Sequence, residues 1–293
     1  MADLLKGAPV AKALTTELAS RVDILRERGV VPKLAILRVG EREDDLSYER
    51  GALKRCDKCG IEVQRFLLPA DCSQDDLVAA IRQINAGDSI HGCLMFRPLP
   101  KSLDEAAACA LLDPTKDVDC ITEGSLYGVF ANRPQGFPPC TAEAVMQILK
   151  FYGPKGEGRV PELRGADVTV IGRSLVIGKP VSMLLQAANA TVTMCHTKTR
   201  DLPTKCKDAD IVVVAAGHPR TFSADCAVPG QVVIDVGINW DPAAGKLVGD
   251  ADFDAVEPIV GAITPVPGGV GSVTTACLAK HVVEAASRLC GTR

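Results

Sequence analysis

Three places in the 293-residue chain combine residue types that could do chemistry. The apolar run Val168-Thr169-Val170-Ile171 ends at Gly172-Arg173-Ser174, and Gly178-Lys179-Pro180 then opens an apolar stretch of helical spacing. Strand, glycine turn and helix N-terminus together offer free backbone N–H groups and the positive end of a helix dipole, an arrangement that receives a pyrophosphate. The spacing is not GxGxxG, and a plain βα turn carries the same pattern. The next apolar run, Ala190 to Cys195, ends in His196-Thr197-Lys198-Thr199-Arg200. NAD-selective sites place an acid there to hold the ribose hydroxyls. Hydroxyl and cationic groups suit a 2′-phosphate instead, so NADP is favoured over NAD, with Asp201 close by as the contrary signal.

The second place is Lys116-Asp117-Val118-Asp119, where either carboxylate could hold a ligand's donors or cap a turn. The third is Cys56-x-x-Cys59, the single CxxC, which has no second pair nearby to complete a zinc site. His91, His218 and His281 have no acidic or cysteine partners at ligand spacing, so no metal is expected. The other cysteines, 12 in all, are scattered without a framework. A disulfide scaffold would be a short secreted chain, whereas this one is long enough to bury a core. They read as reduced thiols, several of them, such as Cys93 and Cys195, inside apolar runs.

Elements must position these groups. Pro9 opens an amphipathic helix with Val10, Leu14, Leu18, Val22 and Leu25 on one stripe, closed by Gly29. Leu34 to Val39 reads as a buried strand, Glu41 to Asp45 as a polar loop, and a second helix runs through Tyr48 to Gly60. Ile61–Leu68 and Gly92–Phe96 are strand-like, with Ser73–Asn85 helical between them. After a Pro/Gly-rich loop (132–139) and a helix Thr141–Tyr152, a second series begins at Val168 and continues through runs at 190–195, 211–216 and 232–236. Alternation of strand and helix predicts α/β architecture, and apolar strands buried on both faces predict a doubly wound parallel sheet. The expected domains are 1–140, with a last helix (273–293) returning to it, and 141–272 as the Rossmann-type domain. A hydrophobic fraction of 47% fits a folded globular protein, and a net charge of −3 advertises neither nucleic acid nor anionic membrane. With no signal-peptide pattern at the N-terminus and no apolar run of spanning length, a cytoplasmic protein is expected.

In order along the chain, the motifs GRSLVIGKP, ATVTMCHTKT, VVAAGHP, VVIDVGIN, KLVGDADF and ITPVPGGVG resemble the methylenetetrahydrofolate dehydrogenase/cyclohydrolase family. VG at 39–40, Tyr48, PLP at 98–100, KDVD at 116–119 and PCT at 139–141 agree in the N-terminal half. The resemblance implies an N-terminal folate domain, a Rossmann domain and a homodimer. It implies oxidation of 5,10-methylenetetrahydrofolate by hydride transfer to NADP, followed in many members by hydrolysis of the methenyl cation. Residue by residue, it implies that Gly172, Arg173, Ser174, Thr197 and Ile238 contact the cofactor. Asp119 would hold the pterin and Tyr48 would stack or hydrogen-bond at the folate. Pro265, Pro267, Gly268 and Gly269 would belong to a loop that closes over the substrate.

Two positions depart from the family pattern. The catalytic lysine expected one turn after Tyr48 is Ala52, and the glutamine expected before the PLP strand end is Phe96. Lys54 lies about 240° around the helix from Tyr48, while Arg55 shares its face but hardly deprotonates. Hydride transfer moves no proton, whereas hydration must deprotonate water and protonate a ring nitrogen, for which acid–base help is worth ~10²–10⁴-fold. The expectation is therefore a dehydrogenase with weak or absent cyclohydrolase activity, served by a separate cyclohydrolase. The alternatives are the full bifunctional enzyme and a non-catalytic folate or dinucleotide sensor.

Overall fold

The computed structural model describes residues 1–242 and 245–291, with Cys290 described by its backbone alone. The chain begins with β1 (Asp3–Leu4), α1 (Gly7–Glu27), β2 (Lys33–Val39), α2 (Glu43–Cys59), β3 (Glu62–Leu68), α3 (Gln74–Ala86) and β4 (Gly92–Met95). Next come α4 (Glu105–Leu111), α5 (Glu123–Phe130), α6 (Cys140–Tyr152), β5 (Asp167–Ile171), α7 (Gly178–Ala187), β6 (Thr191–Cys195) and α8 (Leu202–Lys207). The remainder is β7 (Ile211–Val214), β8 (Val232–Asp235), β9 (Asn239–Asp241), β10 (Lys246–Val248), α9 (Phe253–Val256), β11 (Ala262–Ile263) and α10 (Thr274–Gly291). The second helix starts at Glu43, inside the stretch expected to be loop, because Glu43, Asp44 and Asp45 favour a helix first turn.

These elements form two compact units, one of residues 12–140 and 275–293, the other of residues 1–11 and 141–274. The first eleven residues thus part from the expected 1–140 domain. Their short strand explains it: Asp3 and Leu4 pair in parallel with Ala262 and Ile263 at the edge of the other unit's sheet.

The first unit holds a three-stranded parallel sheet in the order β3-β2-β4. Along β2, Ala35, Leu37 and Val39 pack with Leu77, Ile81 and Ile84 of α3 in one core cluster. Alternation sends Leu34, Ile36 and Arg38 to the opposite face. Both helices here end on local chemistry. Gly60 closes α2 in the left-handed conformation at φ 73°. Ser73 and Asp76 make a reciprocal capping box at the start of α3, and the Lys116 ammonium donates to the Ile84, Asn85 and Gly87 carbonyls at its end, each at 2.8 Å.

The second unit is a six-stranded, all-parallel sheet in the order β1-β11-β8-β7-β5-β6. β7 and β8 are buried throughout, which is why their sequences, IVVV and VVID, carry almost no polar residues. β6 departs from the expected two-sided burial: it is an edge strand, and Thr191, Thr193 and Met194 are exposed. Strand β5 lies between β6 and β7, so the chain runs out from it in both directions. That is the switch point at whose carboxyl edge open α/β sheets bind ligands.

Candidate active site

At the carboxyl edge of the six-stranded sheet, Gly172 continues β5 by donating its N–H to the Cys195 carbonyl at 2.9 Å. Its φ is +141°, and a Cβ there would collide with the Ala215 carbonyl of the neighbouring strand. A Cβ on Gly178 would in turn collide with the Gly172 carbonyl. The turn therefore needs both glycines, and it brings backbone within close approach of whatever lies above it. Arg173 and Ser174 are exposed, with the Ser174 hydroxyl accepting from the Ile177 N–H at 3.2 Å. No side chain caps the start of α7. Because Ile171 and Cys195 are register partners, His196 and Thr197 leave the sheet beside this turn, and Thr197, Lys198 and Arg200 are exposed. Gly172, Arg173, Ser174 and Thr197 thus occupy adjoining strand ends. Asp201, the contrary acid, caps α8 by accepting from the Thr204 N–H.

A cavity of about 190 Å³ opens a few strands along the same edge, lined by Gly237, Ile238, Pro265, Pro267, Gly268 and Gly269 among others. It unites the expected cofactor residue Ile238 with the four expected loop residues. The loop is held tightly: the Gly7 N–H donates to the Gly268 carbonyl at 2.8 Å, and a Cβ on Gly269 would overlap the Pro265 carbonyl. Asp235 lines the cavity floor at 2% exposure. It accepts from the Gly237, Asp250 and Ala251 N–H groups at 3.0, 2.9 and 2.9 Å. Burial pushes its carboxyl up to about 6 against those donors, with the Asp250 charge adding to the rise.

In the three-stranded unit, Tyr48 is half-buried on α2 and meets the Phe96 ring edge-on, centroids 6.0 Å apart and planes at 80°. Ala52 is fully buried one turn further on. Lys54 is exposed. Arg55, which the helical wheel puts on Tyr48's face, bonds to Thr15 and, at 3.4 Å, to Thr275. It joins α2 to α1 and α10. The residue after Tyr48, Glu49, is buried and takes a 2.8 Å ion pair from Arg38 of β2.

The two carboxylates of KDVD separate in role. Asp117 is fully buried and accepts from the Ile121 and Thr122 N–H groups and the Thr122 hydroxyl, so it builds the turn into α5. Asp119 is partly buried and accepts from the Cys140 N–H at 3.1 Å. Burial raises its carboxyl, opposed by that hydrogen bond. Cys120, beside it, sits at φ 60°, a left-handed position that glycine fills more easily.

Every described cysteine is free, and all but Cys109 are buried. The Cys290 side chain lies outside the described residues. Burial pushes Cys56 up to about 12 and raises Cys59, favouring the protonated thiol in each. Among the described residues no three His, Cys, Asp or Glu side chains cluster to hold a metal. Sequence reasoning passed over Asp235, Asp250, Arg38 and Glu49. Asp235 and Arg38 each carried a signal, a charged residue within an apolar strand, which in a buried sheet demands partners.

Two family models match the chain: tetrahydrofolate dehydrogenase/cyclohydrolase, catalytic domain, over residues 5–119, and its NAD(P)-binding domain over residues 139–290. The bifunctional protein FolD of Carboxydothermus hydrogenoformans is 53% identical over 99% of each chain. The crystal structure of the bifunctional FolD enzyme of Campylobacter jejuni superposes with a TM-score of 0.91 at 35% identity, covering 99% of this chain and 100% of that one. The Trypanosoma brucei dehydrogenase-cyclohydrolase, complexed with NADP and an inhibitor, gives 0.88 at 35% identity over 99% and 98%. With both halves matched in order and a relative more than half identical along its whole length, the chain belongs to the tetrahydrofolate dehydrogenase/cyclohydrolase family.

Proposed function

We propose that this protein oxidises 5,10-methylenetetrahydrofolate to the 5,10-methenyl cation with NADP. The observation that carries the reading is the Gly172 turn, pressed against Ala215 at the switch point and flanked by the exposed Arg173, Ser174 and Thr197. The residues fit a dinucleotide: the two glycines leave no side chain between backbone and pyrophosphate, and α7 starts without a competing cap. Lys198 and Arg200 supply cationic charge for a 2′-phosphate, and the Trypanosoma brucei relative is complexed with NADP. NADP, when bound, accepts the hydride. Ile238 and the 265–271 loop would then wall the reacting carbon from water, and Asp119 would hold the pterin's N–H donors. Tyr48 would contact the folate ring, its orientation set by Phe96. Positioning supplies most of the rate for such a transfer. Purified protein should form NADPH from methylenetetrahydrofolate, with NADP preferred over NAD. No NADPH, or a strong NAD preference, overturns the corresponding half of the proposal.

The second half-reaction has two readings, each with its own support. The names of the relatives, bifunctional throughout those matched above, favour hydrolysis of the methenyl cation by this same chain. They also run against a separate cyclohydrolase partner. Ala52 and Phe96 favour a dehydrogenase whose hydrolytic rate is low, because neither side chain can move a proton. The decay of methenyltetrahydrofolate with and without enzyme decides between them: acceleration of ~10²-fold or more supports bifunctionality, and a buffer-like rate supports the pruned enzyme. Retained binding of both ligands without turnover is the outcome that a sensor would give. A homodimer in the cytoplasm belongs to the same proposal, following the family.

A further inference from the structure

Asp235 and Asp250 lie side by side at the carboxyl edge of β8, 2% and 0% exposed. Two buried carboxylates so close in the fold are unfavourable unless their acceptors are filled, and here N–H groups of the surrounding loops fill them. Asp250 accepts from the Gly217 N–H after β7 at 2.7 Å and from the Asn239 amide after β8 at 2.8 Å. Asp235 accepts from Gly237, Asp250 and Ala251, and its own N–H donates to the Thr264 hydroxyl after β11 at 2.8 Å. The strand order β11-β8-β7 makes these three loops neighbours. The backbone is shaped to the pair: a Cβ on Gly237 would strike the Asp250 carboxyl, and one on Gly249 would strike that of Asp235.

We propose that Asp235 and Asp250 are positioning residues for the cofactor. Their carboxylates tie the loops after β7, β8 and β10 into one rigid rim, which the Asp235 backbone N–H joins to Thr264 after β11, so that Ile238 and the 265–271 loop form the 190 Å³ cavity before any ligand arrives. The inference rests on the reading of this edge as the NADP site. Neither carboxylate touches the cofactor in this account. Each acts through the N–H groups it gathers, the amides of Gly237, Asp250 and Ala251 on Asp235 and those of Gly217 and the Asn239 side chain on Asp250, all of them donors.

Asp250→Asn tests the idea, since the introduced amide can accept from Gly217 but turns an NH₂ toward the Asn239 amide. NADP affinity, by titration calorimetry, should weaken about tenfold or more, and hydrogen exchange at 215–219 and 236–239 should accelerate. Adding Asn239→Asp converts the clash into a donor–acceptor pair, at the loss of the Asn239 donor to the Gly249 carbonyl, and should restore most of both readouts. Wild-type affinity and exchange in folded Asp250→Asn overturn the proposal, as does a double variant that recovers its melting temperature without its affinity. If Asp250→Asn does not fold, Asn239→Ala, which strips the Asp250 carboxylate of its donor after β8, decides by the same two readouts, unchanged affinity being the adverse result. Wild-type protein that fails to bind NADP sinks the functional reading, whereas unaltered exchange in the variants sinks the rim alone.

Discussion

Ala52 and Phe96 set the sharpest question at the scale of single residues. Phe96 packs edge-on against Tyr48, and Ala52 is fully buried beneath the next turn. Ala52→Lys by itself should lower the melting temperature, because it buries a charge without a partner. With Phe96→Gln added, methenyltetrahydrofolate decay should rise by ~10-fold or more over wild type if the missing pair limits hydrolysis. Asp119→Ala, by contrast, should cut kcat/KM for methylenetetrahydrofolate by ~10²-fold, about 2.7 kcal/mol, while NADP affinity holds. Asp235 makes a prediction about pH. Its carboxyl is raised to about 6 in the fold, so between roughly pH 4 and 6 the folded chain holds a proton that the unfolded chain has lost. The group's contribution is complete below that window and declines as pH rises through it. Unfolding free energy of wild type minus that of Asp235→Asn should therefore fall from pH 4 to 6, by at most about 1.4 kcal/mol per unit, and level off above 7.

Elements carry the next set of constraints. Helix α3 is held at both ends by side chains, the Ser73–Asp76 box and the Lys116 ammonium. Ser73→Ala should cost about 1 kcal/mol in denaturant unfolding, and Lys116→Met more, since it strips the shared donor from three carbonyls. The β5–α7 turn is constrained by backbone instead. Gly172→Ala must move Ala215 or change φ, so NADP binding should be lost before global stability is. Much at this scale was legible from sequence. Strand β2, helix α3, the glycine turn and the alternation itself follow from apolar periodicity and local caps. Strand β1 was not legible, for two residues carry no periodicity and only β11 makes them a strand. Nor was the exposure of β6, because being an edge is a property of strand order.

Across the whole molecule the thiols illustrate how burial sorts chemically identical groups. Every described cysteine but Cys109 is buried, and burial is the largest cause of each resolved upward shift except in the hydrogen-bonded pair Cys206 and Cys226. In that pair the shared hydrogen bond raises Cys206 and lowers Cys226, yet Cys226 is 3% exposed. A thiol reagent should therefore label native protein slowly, with Cys109→Ser removing the fastest fraction from the described cysteines and unfolding releasing the rest. Equal rapid labelling of many thiols in native protein would contradict the packing.

The sequence by itself determined the α/β class, the order of motifs and the family, because periodicity, turn residues and motif spacing are local properties of the chain. It also singled out Asp119, the glycine turn and the two departures at 52 and 96. Only tertiary structure decided which carboxylate of KDVD builds a turn and which stays accessible, since Thr122 and Cys140 reach them from different elements. It decided that Arg55, on the right helical face, belongs to Thr15 and Thr275. It paired Arg38 with Glu49 and gathered Gly217, Asn239 and Thr264 around two aspartates. The physical reason is common to all of these. A buried charge is tolerable only with its partners, and partners far apart in sequence are specified by the packing of whole elements, which no local window contains.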